Sequence, residues 1–212
     1  MKIIFIRHAE STGNIKRGYH GGHEPLLELT ENGISQAIKL GQRFNREITL
    51  GVMEIPDQIH ASWALRTQKT VNLVVEQLGE NIRAKIGDLL VDDRLNERDK
   101  WEWVGQLRTS ISAEIYEESS RSHGAFRPPG GESEVDTADR MESWLHTLED
   151  KNHWVFSHGW SIKCLLARLW FFQPWTAENS HRTDNTWITE LEYKNQQWNL
   201  IRYNDHAHLW LP

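Results

Sequence analysis

Apolar positions along the chain alternate between short dense runs and helical stripes. Residues 2–6 form an isoleucine-rich run, the pattern of a buried strand, which stops at the polar pair Arg7-His8. After a loop rich in glycine and histidine at 18–23, Thr30 stands where a helix cap is expected. Ile34, Ala37, Ile38, Gly41 and Phe44 follow on one helical face. A second strand is predicted at 58–62. The next helix carries Val71, Val74, Val75 and Leu78 at helical spacing with Gly79 as its stop, and 89–91 reads as a third strand.

The stretch 92–131 is polar and has no sustained period apart from a short helix predicted at 112–119. It reads as an inserted lid, about 98–131. Pro128-Pro129-Gly130-Gly131 breaks the chain. Ser133 with Asp136 then opens a helix through a capping box, with Val135, Ala138, Met141, Leu145 and Leu148 on its apolar face. Residues 153–157 predict a strand, 162–170 a helix, and 186–191 with 198–203 a closing hairpin turning at Asn195-Gln196. Strands alternating with helices predict a single domain over 1–212, a three-layer α/β/α sandwich on a mainly parallel sheet.

Composition narrows the classes. A chain of 212 residues can bury about 70% of its unfolded surface, so it needs no disulfide or structural metal to hold a core. The formal net charge of −6 gives no global basic field, and no local basic patch points to nucleic acid. The single cysteine, Cys164, excludes an internal disulfide and a thiolate cluster, fits a reducing compartment, and is expected to be inert. No apolar stretch approaches the ~20 residues that span a bilayer, and the first apolar run is too short for a signal peptide. The expectation is a cytoplasmic protein without membrane or nucleic-acid partners, its oligomeric state open. The 11 tryptophans are scattered, as core and pocket-wall bulk.

In open α/β sheets ligands bind outside the carboxyl ends of the strands. Those ends carry Arg7, His8, Ala9 and Glu10 after the first strand, Ser62 and Arg66 after the second, Glu97 after the third, and Ser157-His158-Gly159 after the fourth. Two histidines, two arginines and a glutamate thus converge on one rim. A neutral imidazole is a competent nucleophile toward phosphorus, and arginine forks match phosphate oxygens bidentately. A second histidine can donate to an equatorial oxygen, and a carboxylic acid can protonate the leaving oxygen.

The octapeptide Arg7-His8-Ala9-Glu10-Ser11-Thr12-Gly13-Asn14 resembles the Arg-His-Gly-Glu-x-x-x-Asn motif of the histidine phosphatase superfamily, also called phosphoglycerate mutase-like. Further matches follow in the family's order. They are Leu29-Thr30-Glu31-Asn32-Gly33 with Gln36-Ala37, then Ser62-x-x-x-Arg66-Thr67 with Thr70, then Leu95-Asn96-Glu97 through Trp103 and Gly105, and Val155-Phe156-Ser157-His158-Gly159; Pro129-Gly130-Gly131-Glu132-Ser133 recurs in several branches. The resemblance implies that His8 is the phosphorylated nucleophile and Glu97 the acid/base. Arg7, Arg66 and His158 would form the phosphate pocket, with Asn14 and the Gly159 amide as further donors, and no metal or organic cofactor. The implied substrate is a small phosphorylated molecule. Ala9 for the usual glycine, Lys69 for glutamine, and Trp101 and Val104 after the glutamate depart from the pattern, the last two where the specificity pocket is expected.

Competing readings attach to the same residues. A phosphoglycerate mutase is the nearest rival to a phosphatase; against it, the lid lacks the adjacent arginine pair that mutases use. A non-catalytic phospho-ligand-binding domain conflicts with the retention of His8, Arg7, Arg66 and His158. A metal-dependent hydrolase would have to use His20, His23, His206 and His208, which are expected instead on the surface or the pocket rim. Glu10 is expected to orient Arg7 or to cap the following turn. Arg98, Lys100, Arg121 and Arg127 in the lid are candidates for a second anionic group of the substrate, and Trp63, Trp101 and Trp103 for pocket walls. Substrate specificity is expected in the loops 15–28, 98–130 and 173–186.

Overall fold

Side chains of successive strand residues point to opposite faces, and in β1 (Lys2–Arg7) this sends Ile4 and Ile6 to one side of the sheet and Ile3 and Phe5 to the other. The structure, a computed structural model, describes residues 1–16, 18–169 and 183–210. The remaining elements are α1 (Glu31–Thr49), β2 (Gln58–Ala61), α2 (Leu65–Glu76), α3 (Glu80–Arg83), β3 (Leu89–Val91), α4 (Ala113–Arg121), α5 (Glu134–Leu145), β4 (Asn152–Ser157), α6 (Gly159–Arg168), β5 (Ile188–Lys194) and β6 (Gln197–Asp205). They form a six-stranded sheet in the order β3-β2-β4-β1-β5-β6. The first four strands in that order run parallel, and β5 is antiparallel to β1 and to β6.

The sheet has a helical layer on each face. Leu40 and Phe44 of α1 with Val71 and Val74 of α2 pack on Ile4, Ile6, Trp154 and Phe156. On the other face Met141, Trp144 and Leu145 of α5 with Ile162, Leu165 and Leu166 of α6 pack on Ile3, Phe5 and Val155. The parallel β1–β4 pair is therefore covered on both sides, which is why its strands read as continuous apolar runs. No described helix is long and apolar enough to cross a membrane.

Caps and turns match the expected chemistry. Thr30 Oγ1 accepts from Gly33 N at 3.0 Å, and Ser133 and Asp136 form a reciprocal capping box. The β5–β6 hairpin turns at Asn195 and Gln196, with φ of 53° and 62°, the two left-handed positions that suit the strand twist.

Four expectations are corrected. The buried face of α1 runs through Gly33, Ala37, Leu40, Gly41 and Phe44, leaving Ile34 exposed. The helix is rotated because Gly33 lies against the loop after β1, where a Cβ would fall 2.0 Å from the Glu10 carbonyl oxygen. Gly79 does not stop α2, which ends at Glu76; its N–H takes the Asn45 Oδ1 at 2.8 Å and it opens α3. The lid helix begins at Ala113 after Ser112 and runs to Arg121. Finally, α6 starts at Gly159, three residues earlier than expected, because side-chain oxygens described below satisfy its first amides. Trp170 and loop residues 173–182 lie outside the described residues.

Candidate active site

The carboxyl ends of β1, β2 and β4, with the turn after β3, open into a cavity of about 510 Å³ lined by Arg7, His8, Asn14, Arg66, Glu97 and Gly159 among others. His8 follows directly on β1 and is buried. Its Nδ1–H donates to its neighbour's carbonyl, Ala9 O, at 2.7 Å. That bond leaves Nε2 as the unprotonated nitrogen, and it accepts from Arg66 Nε–H at 3.3 Å. Burial, with the Arg66 and Arg7 charges beside it, holds the His8 imidazole well below the usual histidine range. His8 is therefore neutral at pH 7, with a lone pair on Nε2.

Arg66 sits in the first turn of α2, buried, and connects both histidines. Besides His8 it donates through Nη2 to His158 Nδ1 at 3.1 Å and through Nη1 to the Glu24 carbonyl. Because His158 Nδ1 accepts, its Nε2–H donates to Ser62 Oγ at 2.8 Å. Ser62 in turn bonds Thr67 Oγ1 at 2.7 Å, and Thr67 donates to the Ala64 carbonyl at 2.6 Å. This relay fixes one tautomer and one ring orientation of His158. Burial and the adjacent Arg66 charge hold it, too, well below the usual range. His158 is fully buried behind Arg66, its ring edge-on to His8 at 5.1 Å between centroids, and its ring does not line the cavity.

Arg7 donates to the Thr183 carbonyl at 2.5 Å, while its buried Nε–H has no partner among the described residues. Gly159 is pressed against it: a Cβ there would stand 3.2 Å from Arg7 Nε. Glu97 Oε1 accepts from Arg98 N at 2.9 Å, Ser161 N at 3.2 Å and Ser161 Oγ at 3.1 Å. These are the bonds that satisfy the start of α6, and they fix one carboxyl oxygen while Oε2 has only Trp160 N at 3.5 Å. Asn14 Oδ1 accepts from Ser11 N and Ser11 Oγ, at 2.9 and 3.1 Å. Its amide group is thereby turned outward.

The lid is docked on the glycine loop. His20 N donates to Gln106 O, Gly105 N to His20 O and Arg108 N to Gly18 O, so residues 18–20 and 105–108 pair across the cleft wall. His20 is buried against Trp103 and bonded to Tyr116 OH at 2.9 Å. His23 packs edge-on to Trp63, and His208 bonds Thr186 Oγ1 at 2.8 Å. His206 faces Asp184 at 3.7 Å. Among the described residues no group of three or more His, Cys, Asp and Glu is placed to hold a metal ion.

Several rim expectations change. Trp63, Trp101 and Trp103 do not line the cavity; Trp160 does. Arg121 and Arg127 pair outside it with Glu117 and Asp136, and Arg98 is buried against Glu134 at 3.1 Å. Glu10 does not reach Arg7: its carboxylate accepts from Thr30 Oγ1 at 2.7 Å and so braces the α1 cap. Cys164 is buried, which pushes its thiol well above its ordinary range. Sequence reasoning did not single out Ser161, Thr183, Asn185 or Lys163. Serines, threonines and asparagines carry no pattern of their own, and their role comes from the tertiary contacts that bring them to the site.

The model of the histidine phosphatase superfamily (branch 1) matches residues 3–206. A 2,3-bisphosphoglycerate-dependent phosphoglycerate mutase of Azorhizobium caulinodans is 30% identical over 183 residues, 81% of this chain and 82% of that one. Among solved structures, a putative alpha-ribazole-5'-P phosphatase of Escherichia coli superposes with a TM-score of 0.76 at 25% identity, covering 97% of each chain. A phosphoserine phosphatase variant of Entamoeba histolytica in complex with phosphoserine gives 0.77 at 23% identity over 98% of each, a likeness of fold. A family match over nearly the whole length joins the fold and the strand-end cluster in one conclusion: the chain belongs to the histidine phosphatase superfamily.

Proposed function

We propose that this cleft hydrolyses a small phosphomonoester through a phosphohistidine on His8, without a metal or organic cofactor. The observation that carries the reading is the state of His8: neutral, its Nδ1–H tied to Ala9 O, its Nε2 lone pair beside the Arg66 guanidinium. That arrangement is what an in-line attack on phosphorus requires.

In the first half-reaction Nε2 attacks phosphorus and a P–N bond forms as the P–O bond to the leaving group breaks. Glu97, through Oε2, gives its proton to the departing oxygen. Arg7 through its unpartnered Nε–H, Arg66, the Asn14 amide and the Gly159 N–H neutralise the equatorial oxygens. His158, behind Arg66 and accepting from its Nη2–H through Nδ1, holds the guanidinium toward those oxygens. In the second half-reaction Glu97 takes a proton from water, the water oxygen attacks phosphorus, and the P–N bond breaks to return neutral His8.

The test is inorganic phosphate release from p-nitrophenyl phosphate and a panel of sugar, nucleotide and glycerate phosphates in excess chelator, beside His8→Ala. Release that survives chelator and is lost in the variant supports the reading; chelator-sensitive release overturns it. The name of the Azorhizobium relative favours a second reading, transfer of phosphate between positions of phosphoglycerate. Rapid interconversion of 2- and 3-phosphoglycerate primed with 2,3-bisphosphoglycerate would decide for that one. The lid arginines Arg121 and Arg127, engaged with Glu117 and Asp136, speak against it.

A further inference from the structure

The cavity lined by Arg7, His8 and Arg66 measures about 510 Å³, and the charge of its remaining lining is one-sided. Lys16, Lys100, Arg108 and Lys163 line it, beyond Arg7, Arg66 and the Glu134-paired Arg98, whereas its acidic lining is Glu24 and Glu97. This excess of cations belongs to a chain whose formal net charge is −6. Among the described residues none of Lys16, Lys100, Arg108 and Lys163 has a carboxylate within ion-pair distance.

Two of them share a platform. Lys100 Nζ lies 5.8 Å and Lys163 Nζ 5.5 Å from the centroid of the Trp160 ring, so the lid and α6 each bring an ammonium to one indole that faces the cavity. Both are half-buried. The ring offers partial compensation, not a counter-ion, and two like charges crowd it.

Resting on the phosphomonoesterase reading of the same cleft, we propose that the substrate carries a second anionic group, a carboxylate or a second phosphate, seated against Trp160 between Lys100 and Lys163. The groups that face Lys100 agree with this. Burial and then the Arg98 charge push its ammonium down to about 8, with Glu97 opposing and Arg108 and Glu134 adding smaller effects of either sign. Lys163 is lowered by burial and by Arg7, with Glu97 and Cys164 acting in the opposite sense. A second anion restores the missing charge at both, and an ammonium with an added anionic neighbour holds its proton more tightly.

The experiment compares matched phosphate esters that differ only in the second charge: 3-phosphoglycerate against glycerol 3-phosphate, and fructose 1,6-bisphosphate against fructose 6-phosphate. Binding is measured by calorimetry to His8→Ala, so no turnover is needed, and kcat/KM is measured on the active chain. The expected result is at least a tenfold preference for the doubly anionic member of one pair. That preference shrinks to below threefold in Lys100→Met or Lys163→Met, and in the unsubstituted chain it declines as pH rises through about 8 to 9. Equal affinity within both pairs, or a preference that both lysine variants keep, overturns the proposal. Failure of the hydrolase reading looks different: p-nitrophenyl phosphate yields no phosphate while the binding preference stays intact.

Discussion

Asn185 Nδ2–H donates to the His8 carbonyl at 3.0 Å and to Asn14 Oδ1 at 3.2 Å. The side chain thus ties the backbone of the proposed nucleophile to the side chain of a proposed phosphate donor. Its neighbour Thr186 is held in the left-handed region, φ 58°, which is costly for a β-branched residue. Thr186 N–H donates to the Arg7 carbonyl at 3.1 Å, and Thr186 Oγ1 accepts from His208 Nε2–H at 2.8 Å. The C-terminal part of the chain in this way clamps the end of β1.

Asn185→Ala should lower kcat about tenfold, roughly 1.4 kcal/mol of lost positioning, while KM changes less than twofold. Asn185→Asp should be worse than alanine, because a carboxylate would face two acceptor oxygens, His8 O and Asn14 Oδ1. Steady-state kinetics with a thermal midpoint for each variant check this. Equal loss in the two variants, or a rise in KM alone, would rule out the positioning role.

Glu97→Gln separates the two proton transfers. A good leaving group such as p-nitrophenolate departs without an acid, but attack of water on the phosphohistidine still needs a base. The variant should therefore release a burst of nitrophenolate stoichiometric with enzyme and then turn over about 10²–10⁴-fold more slowly than the parent. With an alkyl phosphate no burst is expected. Stopped-flow absorbance and acid-labile phosphoenzyme report the two phases, and an unchanged steady-state rate would remove Glu97 from the mechanism.

Much of this was legible in the sequence because one-dimensional patterns encode it. The strands at β1 and β4 are buried on both faces and so appear as apolar runs, and His8 and His158 follow directly where those runs stop. The longer helices could be read from the sequence, the four-residue α3 could not, and neither could the phase of α1, since the contact of Gly33 with the Glu10 carbonyl is tertiary. The same limit applies to α6, whose first turn depends on a carboxylate 62 positions before it, Glu97. The clamp at Asn185 and the meeting of Lys100 from the lid with Trp160 and Lys163 of α6 are tertiary contacts between distant segments, which leave no period to read.

Buried neutral histidines make stability depend on pH in a direction that can be worked out. His60 donates to His153 at 3.1 Å, is buried, and its imidazole is pushed down to about 4, mainly by burial and then by His153. Unfolded histidine titrates near 6.5, so between about pH 6.5 and 4 the unfolded chain binds more protons and stability falls as pH falls. From pH 7 to pH 5 this histidine alone should cost about 2 kcal/mol. His20 and His208, also pushed down to about 4 by burial, add in the same sense. Urea unfolding of the parent should show a steep loss over this interval, and His60→Gln a slope shallower by about that amount. Parallel curves would mean that His60 takes up its proton in the folded chain as readily as in the unfolded one.

The ion pair between Arg43 and Asp205 is linked to pH in the same direction but at lower pH, and it joins α1 to the end of β6. Arg43 donates from Nη1 to Oδ1 at 2.9 Å and from Nη2 to Oδ2 at 2.5 Å, a bidentate fork supported by Glu47 at 2.6 Å. The Arg43 hydrogen bonds hold the Asp205 carboxyl far below the usual carboxylate range. Its folded pKa lies below the unfolded value near 3.9, so its contribution is complete above about pH 4 and drains away as pH falls through the folded value. Asp205→Asn should cost about 1.5–3 kcal/mol at pH 7, the scale of hydrogen bonds to a charged group. For a chain of this length that is a drop in Tm of about 3–12 °C. The difference in unfolding free energy between parent and variant should be flat from pH 8 to about 5 and narrow below pH 4. A difference that grows on acidification would show that Asp205 is protonated in the folded chain and that Glu47 is the partner holding Arg43.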